Sequence, residues 1–160
     1  MFSFFKRKPI FSDQAYLEVA DMLTSEENKP TYRRDLLNRD SLDYSLESLK
    51  QIDSYLEAIR QDEIVKDDMI RLALRSGAYV GEVIKRLSKV EYHWLEFEEA
   101  KKQSKIVKMN GMSLSTAVVL WAHPETLIFP VAKICKYIEF GSEDSVFALA
   151  NFIINEEFKE

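Results

Sequence analysis

An α+β fold is predicted by two features of this 160-residue chain. Three stretches of helical periodicity precede residue 90 and two follow residue 129, while the stretch between them alternates like strands. The expected arrangement is three N-terminal helices, a small antiparallel sheet of two to four strands, and two C-terminal helices, packed on one face of the sheet. Residues 1–11 read as an N-terminal arm and residues 12–160 as a single α+β domain.

The first helix is expected to start at Ser12, an N-cap residue type, with Asp13 favouring the positive end of the helix dipole. Tyr16, Val19, Ala20 and Leu23 share one face, and Asn28-Lys29-Pro30 should end it, because the residue before proline avoids helical geometry. Polar residues 31–41 form a connection. Leu46, Leu49, Ile52, Leu56 and Ile59 place a second helix over about Ser45 to Gln61. A third, from Asp62 or Glu63 to Leu87, has the strongest stripe in the chain: Val65, Met69, Leu72, Ala73, Ser76, Val80, Val83, Ile84 and Leu87.

From Tyr92 to Phe97 aromatic residues stand on both sides of a two-residue alternation, which suits a strand. A second short strand is expected over Ile106 to Met109, followed by an Asn110-Gly111 turn. Ser113 to Ala122 reads as a buried strand broken by His123-Pro124-Glu125, with Leu127 to Phe129 a short addition. Pro130 suits the first position of a helix that buries Val131, Ile134, Cys135 and Ile138, and Gly141 suits its C-terminus. Ser142 is then expected to cap a last helix carrying Val146, Phe147, Leu149, Ala150, Phe152 and Ile153.

Composition narrows the functional classes. With 46% hydrophobic and 31% charged residues the chain should fold rather than remain disordered. A net charge of −5 opposes general binding to nucleic acid, which requires a concentrated basic face. Lys101, Lys102, Lys105 and Lys108 follow Glu96, Glu98 and Glu99, and so read as a mixed, solvated surface. The opening Phe2-Ser3-Phe4-Phe5-Lys6-Arg7-Lys8 lacks the charge order of a signal peptide and is too short for stable membrane association. A soluble, cytoplasmic protein is expected.

Catalytic chemistry finds no signature. One cysteine, Cys135, lies on an apolar helical face, and His93 and His123 fit no metal-binding spacing. No glycine-rich phosphate loop is present, so neither an enzyme nor a cofactor is expected. Charge layout says more. Asp40 to Asp68 holds nine acidic and three basic residues, a local charge of −6, and residues 139–160 add six acids against one lysine. Asp53, Glu57, Asp62 and Asp68 should then face solvent opposite the Leu46–Ile59 stripe and steer a basic partner.

Ala73, Gly77 and Gly81 sit four apart on the third helix, where each glycine costs about 1 kcal/mol relative to alanine. Either another backbone approaches this seam, or a ligand enters a cleft between it and the sheet, with Tyr79, Glu82 and Trp94 at the rim. The run Leu72 to Arg86, containing Gly77-Ala78-Tyr79-Val80-Gly81-Glu82, with Phe129-Pro130-Val131 and Lys133-Ile134 later, resembles a pattern in small uncharacterised bacterial α+β proteins. Some of these neighbour secreted toxins and act as immunity proteins. The resemblance implies a protein-binding module that neutralises a toxin, and it carries over no catalytic residues. A small-molecule or peptide-binding domain using the Gly77/Gly81 cleft is the competing expectation.

Overall fold

The structure, a computed structural model, describes residues 7–156. The aromatic start of the expected arm therefore lies outside the described residues. Helix α1 (Asp13–Asp21) buries Ala20 and runs into a 3-10 turn, Met22–Thr24, where Leu23 ends the apolar stripe. It stops well short of Pro30. Beyond Leu23 there is no apolar face to bury, and the Ser25 hydroxyl accepts from the Glu27 N–H at 3.1 Å, a local bond that competes with helix. Asn28 and Lys29 then adopt left-handed conformations, φ 50° and 57°. They are held there by Arg75, whose guanidinium donates to both carbonyls and to Thr31 Oγ1 at 3.0–3.2 Å.

Helix α2 (Ser48–Ile59) buries Leu49, Ile52, Tyr55, Leu56 and Ile59. Helix α3 (Lys66–Leu87) starts a turn later than expected and has every residue from Arg75 to Ile84 buried. A helix enclosed on all sides is a core element, and α3 packs against α1, α6 and α7. Its glycines explain how. A Cβ on Gly77 would lie 2.7–2.9 Å from the side chain and backbone of Val131, and one on Gly81 would fall onto the Trp94 ring. Both glycines admit a neighbour at short range, so the seam is filled by protein.

Strand β1 (His93–Glu96) pairs antiparallel with β2 (Val118–Ala122), with Trp94 opposite Leu120, and β2 pairs antiparallel with β3 (Thr126–Ile128), with Leu120 opposite Ile128. The His123–Pro124 bond in the β2–β3 turn is cis. Between β1 and β2 the chain forms two helices, α4 (Phe97–Gln103) and α5 (Lys105–Asn110). The strand expected over Ile106 to Met109 is therefore helical. Ser104 caps it by accepting from the Val107 N–H, and Gly111, at φ +70°, ends it. Only Val107 is buried there, while Ile106 and Met109 are 63% and 84% exposed, so no strand face exists to drive pairing.

Helix α6 (Pro130–Phe140) has Pro130 in its first turn and ends at Gly141, at φ +90°. Ser142 opens a 3-10 turn instead of the last helix, and α7 (Val146–Glu156) begins after Ser145. The order is thus α-α-α-β-α-α-β-β-α-α. The fold is α+β with a three-stranded antiparallel sheet, but helices cover both sheet faces. Trp94, Val118, Leu120, Ala122 and Ile128 join the large core with α1–α3, α6 and α7. The alternate residues Leu95, Val119 and Trp121 join Ala100, Val107, Phe97, Leu127 and Phe11 in a second, smaller core.

Candidate functional site

The Gly77/Gly81 helix places Tyr79, Glu82 and Trp94 inside the protein, at 2%, 5% and 0% exposure, so they rim no cleft. Each has an internal partner. The Tyr79 hydroxyl donates to Ser48 Oγ at 2.7 Å and accepts from the Tyr44 N–H at 2.9 Å, tying α3 to the chain that leads into α2. The Trp94 indole N–H donates to Glu82 Oε1 at 2.8 Å, and Lys85 lies 3.4 Å from the same oxygen. Lys85 also reaches Asp13 at 2.7 Å, and Asp13 accepts from the Trp94 backbone N–H and meets His93 Nδ1. Burial pushes the Asp13 carboxyl up, but the Lys85, His93 and Trp94 hydrogen bonds outweigh it and hold it below the usual range. Asp13 thereby joins α1, α3 and β1 through one carboxylate.

The four acidic positions expected on the surface divide. Asp53 is half-buried, and its carboxylate accepts from Ser145 Oγ at 2.6 Å and from the N–H groups of Val146 and Phe147 at 2.8 and 3.3 Å. It caps α7 from α2, across 92 residues of sequence, and is not a free surface charge. Asp68 pairs with Arg71 at 2.7 Å. Glu57 and Asp62 are exposed. Asp62 accepts the Tyr32 hydroxyl at 3.0 Å, while Glu57 lies 3.8 Å from Arg60. Burial and the bond to Glu57 push the Tyr137 hydroxyl up to about 12, which keeps it a donor at neutral pH.

Packing adds what periodicity could not: α2 lies against both α6 and α7. Arg60 donates to the Glu139 carbonyl at 3.5 Å and abuts Gly141, so the end of α2 meets the end of α6. Glu57, Asp62 and Glu63, in and just after the end of α2, and Glu139 and Glu143, in and just after the end of α6, are all exposed. Glu63, Glu139 and Glu143 make no ion pair among the described residues. Sequence counting found both segments but had no means to bring them together.

The opposite sheet face has another character. A groove of about 1020 Å³ between α4–α5 and β3 is lined by Lys101, Lys102, Lys105 and Lys108. Lys101 and Lys102 pair with Glu98 and Glu99 at 2.6 and 2.7 Å, so half of this basic run is neutralised locally. A cavity of about 670 Å³ lies beside it, lined by Lys8, Phe11, His93, Trp121 and His123. Burial pushes the Cys135 thiol up, which disfavours the reactive thiolate. Among the described residues no helix is long and apolar enough to cross a membrane, and no three His, Cys, Asp or Glu side chains converge to hold a metal ion. No family model, curated protein or solved structure matches the chain.

Proposed function

We propose that this protein is a non-enzymatic protein-binding module of immunity type, which takes a basic toxin on the acidic face where α2 meets the end of α6. The observation that supports this reading is the convergence of two acidic segments, about 80 residues apart in sequence, at the contact of Arg60 with Glu139 and Gly141. Exposed carboxylates, of which Glu63, Glu139 and Glu143 make no ion pair among the described residues, raise the potential over such a face and speed encounter with a positively charged surface. The contact set is Glu57, Asp62, Glu63, Glu139 and Glu143. Asp53 is left out because its oxygens serve α7, and Asp68 because Arg71 holds it. The Leu72–Arg86 helix resembles a pattern in small uncharacterised bacterial α+β proteins, some of which act as immunity proteins, and that resemblance supplies the toxin as the partner class.

The test is co-expression with a basic toxin encoded beside this chain, followed by gel filtration at low and high salt. A one-to-one complex at low salt, weakened by Glu57→Lys with Glu139→Lys and by added salt, is the expected result. A complex indifferent to both changes would remove the acidic face from the binding mechanism.

A further inference from the structure

Residues 7–11 run beside the sheet face that carries Leu95, Val119 and Trp121. Phe11 stacks on His93 with ring centroids 3.8 Å apart and planes 3° from parallel, and its ring lies 6.2 Å from that of Trp121. His123 meets Trp121 edge-on, also at 6.2 Å. These rings line the cavity of about 670 Å³, a size and composition suited to a small ligand.

Its polar groups are unevenly matched. Trp121 is 6% exposed, and its indole N–H has no acceptor among the described residues. A buried donor left without a partner costs about 1–3 kcal/mol. The other tryptophan shows the contrast, since Trp94 donates to Glu82 at 2.8 Å. Lys8 stands 5.5 Å from the Phe11 centroid and makes no ion pair among the described residues. Of the acids on the lining, Glu91 is engaged by His93 Nε2 at 3.1 Å, and Glu125 is exposed. The cavity is thus lined by aromatic rings and by two cations, Arg7 and Lys8, that make no ion pair among the described residues, while the Trp121 N–H lies buried behind its wall without an acceptor.

We infer that this cavity binds a small aromatic anion, with its charged oxygens on Lys8 and Arg7 and its ring beside Phe11, His123 and Trp121, whose indole N–H lies just beneath the lining. The site stands apart from the acidic face and does not depend on it.

The test uses the two indole cross-peaks of the full chain in a ¹H–¹⁵N spectrum, assigned through Trp121→Phe. Phenyl phosphate, benzoate and indole-3-acetate are titrated separately, with inorganic phosphate and benzyl alcohol as partial probes. At least one aromatic anion should move the Trp121 peak saturably and leave the Trp94 peak in place. Lys8→Glu, at an exposed position that the fold does not need, should weaken that binding roughly tenfold or more. Three aromatic anions that leave the Trp121 peak unmoved would overturn the proposal. So would benzyl alcohol or inorganic phosphate acting as strongly as the aromatic anions, or Lys8→Glu binding as tightly as the parent.

Discussion

Asp53 shows how a charge that looks free can be committed. Its three acceptor contacts satisfy the start of α7, so Asp53→Ala should destabilise the protein by about 1–2 kcal/mol, measured by urea unfolding. Asp53→Asn, which keeps an acceptor oxygen, should lose less. Equal stability of Asp53→Ala and the parent would refute the cap. Asp13, tied to three elements, contributes a pH dependence. Its folded pKa is depressed, so its stabilisation is complete above the ordinary carboxylate value of 3.8 and is lost as pH falls from there through the lower folded value. Asp13→Asn should destabilise by about 1.5–3 kcal/mol at neutral pH. Its unfolding free energy should also fall less steeply than the parent's as pH drops below 4. Curves with the same steepness would refute that role. Neither aspartate's partners were legible in the sequence. Asp53 lies on the polar side of the Leu46–Ile59 stripe, and periodicity marks which face is apolar without saying which polar residue another element will use. Arg75 was missed for the same reason: a cation among buried α3 residues is explained only by the left-handed turn at Asn28 and Lys29 that it closes.

At the scale of elements, α3 was the most legible, because an apolar stripe and two helical glycines both call for close neighbours. Gly81→Ala isolates the close approach. Alanine gains about 1 kcal/mol of helix propensity, but its Cβ would fall onto the Trp94 ring, and overpacking costs about 1–3 kcal/mol. A lower melting temperature with altered Trp94 fluorescence is expected, and a higher one would show that the ring has room to move. The caps at Pro130 and Gly141 were also readable, since those residue types act locally. The segment between β1 and β2 was not. Ile106-Val107-Lys108-Met109 has strand-forming composition, but the Ser104 cap and the burial of Val107 alone settle it as helix. The same short-range ambiguity turned the Asn110-Gly111 hairpin signal into a helix end.

At the scale of the whole molecule, the sheet separates two chemically different sides. The large core with α2, α6 and α7 carries the acidic face, and α4–α5 with residues 7–11 carry the lysines and the aromatic cavity. Mixed helix and sheet could be read from the periods in the chain, and the net charge from its composition. Which helices cover which sheet face depends on the alternation of Trp94, Leu95, Val119 and Leu120 between two cores, and this became visible only with the strands in register. The central proposal, an acidic face that captures a basic toxin, is tested most directly by surface plasmon resonance with that toxin on the parent and on a variant carrying Glu57→Lys, Asp62→Lys and Glu139→Lys. The parent's association rate should fall as salt rises, and the variant's should be lower by roughly tenfold or more at low salt, with a smaller change in dissociation. Association rates that are the same for both proteins and insensitive to salt would contradict the acidic-face account.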